Sequence, residues 1–239
     1  MTQPREIDWS TVKAAFDFAL DEHVDQARKG TDIPYMAHLW GVASLVLEAG
    51  GATDDVVAAL LHDTAEDQGG RETLARIETA FGAQVASMVE GLSDALPAKG
   101  EAKPPWDERK QAYVDHVADQ PIDVLRVSAA DKLQNLRSMI ADHRAQGSSL
   151  WERFNQKDPR RHLWYLGALT SAYESRAVED AGLDGLAAEL RAGLVELERL
   201  VAAAGHGRSD DADPARSFAH LNAHPPSPDR RNGASVGRG

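Results

Sequence analysis

The sequence predicts an all-α protein, and three observations carry the prediction. Apolar residues recur at helical rather than alternating spacing in nearly every segment through about residue 204. Gly, Pro and Thr/Ser/Asp punctuate the breaks between these stretches. The 42% apolar content is ample for a packed helical core.

Taken in order, a first helix is expected over residues 10–27. Ser10 is its N-cap, and Val12, Ala15, Phe16, Ala19 and Val24 form the inward stripe. Arg28-Lys29-Gly30 ends it in a basic turn. A second helix starts after Pro34, carries His38 among Leu39, Val42, Leu45 and Val46, and stops at Gly50-Gly51. Thr53 caps a third, with Asp54 and Asp55 favourably placed in its first turn. Its run Val56, Val57, Ala58, Ala59, Leu60, Leu61 is apolar nearly all round and leads into His62-Asp63 and, one turn later, Glu66-Asp67.

Short helices over 72–81 and 83–92 precede SDALPAKGEAKPPWDERK, a polar, proline-broken connection long enough to suggest function. Helices resume over 107–118 and over 122–145, the latter carrying Asp131, Asn135 and Arg137, and a last pair spans 160–181 and 183–204. From Gly205 onward the chain is rich in Gly, Pro, Ser and charge. One domain is therefore expected over residues 1–204, followed by a disordered tail over 205–239.

Composition narrows the chemistry. With no cysteine, any metal must be held by His and carboxylates, and a reducing cytoplasm is the expected location. The N-terminal stretch lacks the apolar core of a secretory signal, and no run is long enough to span a membrane. A formal net charge of −12 argues against binding DNA, RNA or an anionic membrane. A small anionic ligand would need a local basic pocket, for which Arg28-Lys29, Lys99, Lys103, Arg109-Lys110, Arg137, Arg153 and Lys157 are available. The sequence does not fix an oligomeric state.

An HD dipeptide alone is weak evidence, so the context of His62-Asp63 has to carry the reading. Residues four apart stack on one helical face, so Glu66 follows His62 and Asp67 follows Asp63. Burying such carboxylates without a cation or hydrogen-bonding partners is costly. His38 and Asp131 each stand in an apolar stretch, and two imidazoles with two carboxylates would neutralise one divalent ion. Mn²⁺ or Fe²⁺ suits this mixed set best, and Zn²⁺ suits it less because its catalytic sites usually take three protein ligands. Glu66 is placed as the base that takes a proton from water. Read alone, Asp131 is a helix-face carboxylate paired with Lys132 or Arg126. His23, His116, His143, His162, His206, His220 and His224 are expected at the surface.

The collinear pieces RKGTDIPYMAHLWGVA, AALLHDTAED, FGAQVASMVEGLSD, PPWDERK and AADKLQNLRS resemble the HD-domain hydrolases of the RelA/SpoT type, over roughly residues 14–173. The small stand-alone alarmone hydrolases are the nearest in kind. The resemblance implies an HD-domain helical bundle that binds Mn²⁺ and removes the 3′-pyrophosphate of guanosine tetra- or pentaphosphate, leaving GDP or GTP. It makes His38, His62, Asp63 and Asp131 metal ligands and Glu66 with Asp67 the pair that activates water. Arg28, Lys29 and Asn135 fall near nucleotide and phosphate. Lys103, Arg109 and Lys110 counter polyphosphate charge. Phe154, Asn155, Lys157, Trp164 and Tyr165 occupy the region that closes the pocket. The chain departs from the bifunctional proteins in having His38-Leu39 where they have His-Pro, and no synthetase domain follows, so hydrolase activity alone is implied. The alternatives are an adenosine alarmone or the 2′-phosphate of NADPH as substrate, or a domain that binds an alarmone without turning it over.

Overall fold

Asp8, rather than Ser10, begins the first helix. In the computed structural model, which describes residues 6–96 and 103–205, the Asp8 carboxylate accepts the Ser10 and Thr11 amides at 2.9 and 3.3 Å. The Ser10 and Thr11 hydroxyls donate to the same carboxylate at 2.5 and 2.7 Å, and they, with the two amides, hold its pKa down at about 2. Helix α1 (Trp9–His23) buries Ala15 and Ala19 and stops four residues earlier than its periodicity suggests, leaving Val24 65% exposed. The basic turn that follows is pinned rather than loose. Ala27 bridges Pro34, the Arg28 amide donates to the Ile33 carbonyl at 2.8 Å, and Tyr35 donates to Gln26 at 2.9 Å.

Helix α2 (Met36–Glu48) packs against α3 (Thr53–Leu61), whose residues from Asp55 to Leu61 are all buried. The N-cap of α3 is Ala52, and Thr53 instead accepts the Asp8 amide through its hydroxyl at 3.0 Å. After Leu61 the regular helix gives way to a turn at His62-Asp63, and a single turn of helix, α4 (Thr64–Asp67), carries the next two carboxylates. Helices α5 (Arg71–Phe81) and α6 (Ala83–Leu92) pack on each other, and α6 closes one side of α3. Helices α7 (Trp106–Val117), α8 (Ile122–Gln146), α9 (Pro159–Arg176) and α10 (Ala181–Gly205) complete the described bundle. A 3-10 segment, Gly147–Arg153, which apolar periodicity did not reveal, turns the chain between α8 and α9.

The long helix α8 is the spine. It touches α2, α3, α6 and α9, and Val124, Leu125, Val127, Ala129, Ala130 and Leu133 are buried along it. Arg126 is its buried cation. It donates to Asp55 of α3 at 2.5 Å and to Asp180, just before α10, at 2.7 Å. No helix among the described residues is long and apolar enough to cross a membrane. The tail expected after Gly205 lies outside the described residues.

Candidate metal centre and its flanking cavities

Three helices aim ligands at one point. Helix α3 delivers His62 at its end, where the backbone stays right-handed (φ −57°, ψ −36°). The His62 Nδ1–H donates to the Ala59 carbonyl at 2.8 Å. Helix α2 holds His38, whose Nδ1–H donates to Gln134 Oε1 on α8 at 2.6 Å. With both Nδ1 atoms engaged as donors, both Nε2 lone pairs are left for a ligand, and they lie 3.2 Å apart. Asp131 of α8 places Oδ1 3.2 Å from His38 Nε2 and 3.6 Å from His62 Nε2. The ligand atoms of these three residues lie within 4.8 Å of one another, and all three residues are buried. A second carboxylate faces them: Asp63 Oδ2 is 3.1 Å from His62 Nε2 and 3.5 Å from His38 Nε2, and accepts the Tyr35 hydroxyl at 2.5 Å.

The electrostatics call for positive charge here. Burial alone would pull the His62 imidazole down, yet the Asp63 and Asp131 carboxylates lift it well above its ordinary range. Asp131 is held well below the usual carboxylate range, against burial, by Lys132 and the two imidazoles. Two imidazole nitrogens converging among carboxylates are chemically suited to a divalent cation.

The centre stands between two cavities. The larger, about 670 Å³, is lined by Arg28, Lys29, Ile33, His38, Met139 and Phe154 among others. The smaller, about 200 Å³, is lined by Asp63, Glu66, Asp94, Lys110, Asp131 and Lys132 among others. Tyr35 and Asn135 line both.

Most residues singled out in the sequence meet here. Arg28 Nη2 donates to Asn135 Oδ1 at 2.8 Å, while Asn135 Nδ2 donates to Asp131 Oδ1 at 2.6 Å. Lys29 reaches Asn155 at 2.8 Å. Lys103 donates to Glu66 Oε1 at 2.8 Å. Arg109 and Lys110 each donate to Asp94 at 2.5 Å. The Lys110 ammonium lies 4.8 Å from the centre of the Tyr165 ring, whose buried hydroxyl has no hydrogen-bond partner among the described residues. Lys157 is not brought in: its side chain is 60% exposed, pairs with Glu152 and lines neither cavity.

Glu66 and Asp67 are adjacent in sequence but point apart, since successive helical residues are rotated by about 100°. Glu66 lines the smaller cavity, and burial with the nearby Asp94 charge lifts its carboxyl to about 7. Asp67 lines the larger one, accepts Gln26 Nε2 at 2.9 Å, and is raised by burial and Asp63.

Three residues at the centre escape the sequence reading, Tyr35, Asp94 and Gln134, and a fourth, Lys132, is anticipated there only as an ion-pair partner of Asp131. Lys132 donates to Asp131 Oδ2 at 2.5 Å. The Asp94 amide donates to Glu66 Oε2 at 3.2 Å. Asp94 opens the long polar connection, which was the available signal, and Lys132 adjoins a ligand. Three histidines expected at the surface are buried instead. His23 stacks on Tyr35 and contacts Thr64, His143 lies near Trp151, and His162 bonds the Gln156 carbonyl. His116 is half-buried.

A buried His/His/Asp metal-binding triad in an all-helical bundle defines a metal-dependent hydrolase class. The HD-domain family model matches residues 15–156, and the chain belongs to that family. It is 38% identical over 147 residues to the guanosine-3′,5′-bis(diphosphate) 3′-pyrophosphohydrolase MESH1 of Mus musculus, covering 57% of this chain and 78% of that protein. The Aquifex aeolicus guanosine-3′,5′-bis(diphosphate) 3′-pyrophosphohydrolase is 33% identical over 128 residues, 54% of this chain and 18% of that one. The fold is similar to that of a metazoan SpoT ortholog, with a TM-score of 0.58 at 24% identity, covering 83% of this chain and 97% of that one.

Proposed function

We propose that the protein hydrolyses the 3′-pyrophosphate of guanosine tetra- and pentaphosphate, giving GDP or GTP and pyrophosphate. One observation carries the reading. The triad stands where a cavity of about 670 Å³, large enough for a nucleoside, meets one of about 200 Å³ lined by Lys110 and Lys132. A nucleotide with phosphates on two sides of its ribose fits that arrangement. The names of the relatives agree with it.

His38, His62, Asp131 and Asp63 would hold the metal, with Mn²⁺ the proposed ion for this N/O donor set. When bound, a divalent ion polarises a phosphoryl oxygen and acidifies water. The protein's own residues supply the rest. Lys110 and Lys132 receive the pyrophosphate group in the smaller cavity. Arg28 and Asn135, already hydrogen-bonded to each other, sit at the junction beside the reacting phosphate. Glu66, whose carboxyl is lifted to about 7, accepts a proton from the attacking water near neutral pH. Water adds to the 3′-α-phosphorus, the bond to the ribose 3′ oxygen breaks, and that oxygen takes up a proton as pyrophosphate leaves.

The test is to strip the purified protein with EDTA and supply guanosine tetraphosphate with and without Mn²⁺, following GDP and pyrophosphate by ion exchange. Manganese-dependent release of both is expected. Faster turnover of the adenosine analogue or of NADPH would overturn the substrate assignment, and binding without turnover would leave a sensor.

A further inference from the structure

The larger cavity carries one polar pair that the proposed chemistry does not use. Asp142, near the end of α8, and Arg153, at the end of the 3-10 segment, both line it. Arg153 Nη2 donates to Asp142 Oδ2 at 2.6 Å. Among the described residues, Arg153 Nε and Nη1 are buried with no hydrogen-bond partner, and Asp142 Oδ1 takes no other bond. Those two nitrogens are sealed from solvent, so what a ligand in the cavity can reach is Asp142, whose side chain is 25% exposed, and the remaining 15%-exposed surface of the Arg153 side chain.

Arg153 is nevertheless firmly placed. Its guanidinium lies 5.0 Å from the centre of the Phe154 ring. The backbone at Gly30 (φ +72°) approaches the stem of Arg153 so closely that a Cβ there would meet Arg153 Cβ at 2.9 Å. The same cavity offers Ile33, Met139 and Phe154 as apolar surface for the faces of a flat ring.

From this pair we infer a guanine-selective base subsite, in which Asp142 and Arg153 read the edge of the purine. The inference rests on the proposed function for placing a purine nucleotide in this cavity. A guanidinium beside a carboxylate presents a donor followed by acceptors. Guanine presents the complement, with O6 as acceptor and N1–H and the 2-amino group as donors. Adenine reverses the pattern: its 6-amino group faces the guanidinium and its N1 lone pair faces the carboxylate. It therefore sets a donor against the guanidinium and a lone pair against the carboxylate of this half-buried pair, which is how a polar site rejects a near-isostere.

Equilibrium binding of GDP and ADP to the full-length protein tests this without any turnover. The wild type is expected to bind GDP at least about tenfold more tightly than ADP, the scale of one well-formed bidentate edge contact. IDP, which lacks the 2-amino group, should fall between them. Asp142→Asn keeps an acceptor for Arg153 but places an amide where a carboxylate met two donors. It should weaken GDP about tenfold and leave ADP within twofold, with thermal melting confirming the fold. Equal affinity of the wild type for GDP and ADP would overturn the inference with no variant needed, as would an unchanged GDP preference in folded Asp142→Asn. GDP selectivity without turnover of guanosine tetraphosphate would support the base subsite while refuting the proposed function. Turnover with no GDP preference would do the reverse.

Discussion

Gly41→Ala should weaken metal binding without destabilising the fold. Gly41 lies inside α2 one turn beyond Met36, and a methyl there would lie 2.9 Å from Gln134 Cγ, 3.3 Å from its Nε2 and 3.4 Å from its Cδ. The first distance falls about 0.5 Å short of the 3.4 Å at which ordinary contact begins. Gln134 must give way, and its Oε1 is the atom that fixes the His38 ring at 2.6 Å. A displacement of about 0.5 Å takes that bond toward the long end of the hydrogen-bond range and misaligns it. Losing the outer partner of a ligating histidine typically costs about 10–100-fold in metal affinity, or about 1.4–2.8 kcal/mol. In the opposite direction, replacing a mid-helix glycine by alanine contributes about 0.5–1 kcal/mol of stability. The two effects are separable. Mn²⁺ affinity, read from the free-ion electron paramagnetic resonance signal, should fall at least tenfold, while the melting temperature in EDTA holds or rises. An affinity within twofold of wild type would refute the claim that Gln134 positions His38.

Three further perturbations test the buried charges and one close contact. The Glu66 carboxyl is raised from the usual 4.5 to about 7 by burial and Asp94, so its stabilising contribution is present below pH 4.5 and lost as pH rises through 7. That loss is about 3 kcal/mol. Glu66→Gln should therefore melt higher than wild type at pH 8 in EDTA and alike at pH 4, while wild-type turnover rises with pH through 7 and the variant's is abolished. A variant no more stable at pH 8 would contradict the burial cost. Arg126→Met strands the buried Asp55 and should lose about 3–5 kcal/mol in urea unfolding; a loss under about 1 kcal/mol would show Asp55 is satisfied elsewhere. Gly182→Ala would set a methyl 2.0 Å from the Ala49 carbonyl oxygen. It should lose about 1–3 kcal/mol by forcing α10 away from the end of α2, and an unchanged melting temperature would refute that.

The helices were legible because each has its own period and its own stop signals, and α6, for example, runs over the span its pattern predicts. The His38, His62 and Asp131 convergence was legible because polar ligands in apolar runs need an explanation. Other features are decided by partners distant in sequence. His23 is buried because Tyr35 stacks on it at 5.1 Å, and nothing near residue 23 encodes that. Asp94 joins the centre only because Arg109 and Lys110 fold back onto it across a polar connection. Glu66 and Asp67 enter separate cavities because adjacent helical residues are rotated by about 100°, a divergence that reading them as one acidic pair conceals. Lys157 shows the converse: its place in a basic, aromatic segment suggested a ligand contact, and its side chain runs out to Glu152 in solvent.

The smaller cavity looks ill-suited to a polyphosphate until its charges are counted. Asp63, Glu66, Asp94 and Asp131 line it against Lys110 and Lys132. Lys103 and Arg109 offset Glu66 and Asp94 from outside the lining, but among the described residues Asp63 has no lysine or arginine partner and faces only the two imidazoles and the Tyr35 hydroxyl. A phosphate anion about 5 Å from one uncompensated carboxylate is opposed by about 3 kcal/mol at an effective dielectric of about 20. A divalent cation at the triad cancels that charge, leaving the two ammonium groups free to attract the anion. Metal and pyrophosphate binding must therefore be coupled, and by linkage each strengthens the other equally. Pyrophosphate is expected to bind the Mn²⁺-loaded protein about 10–100-fold more tightly than the EDTA-treated protein by calorimetry, with Mn²⁺ affinity rising by the same factor when pyrophosphate is present. Equal pyrophosphate affinity in both forms would mean that Lys110 and Lys132 suffice alone, and that the acidic lining of this cavity does not serve to make anion binding wait for the metal.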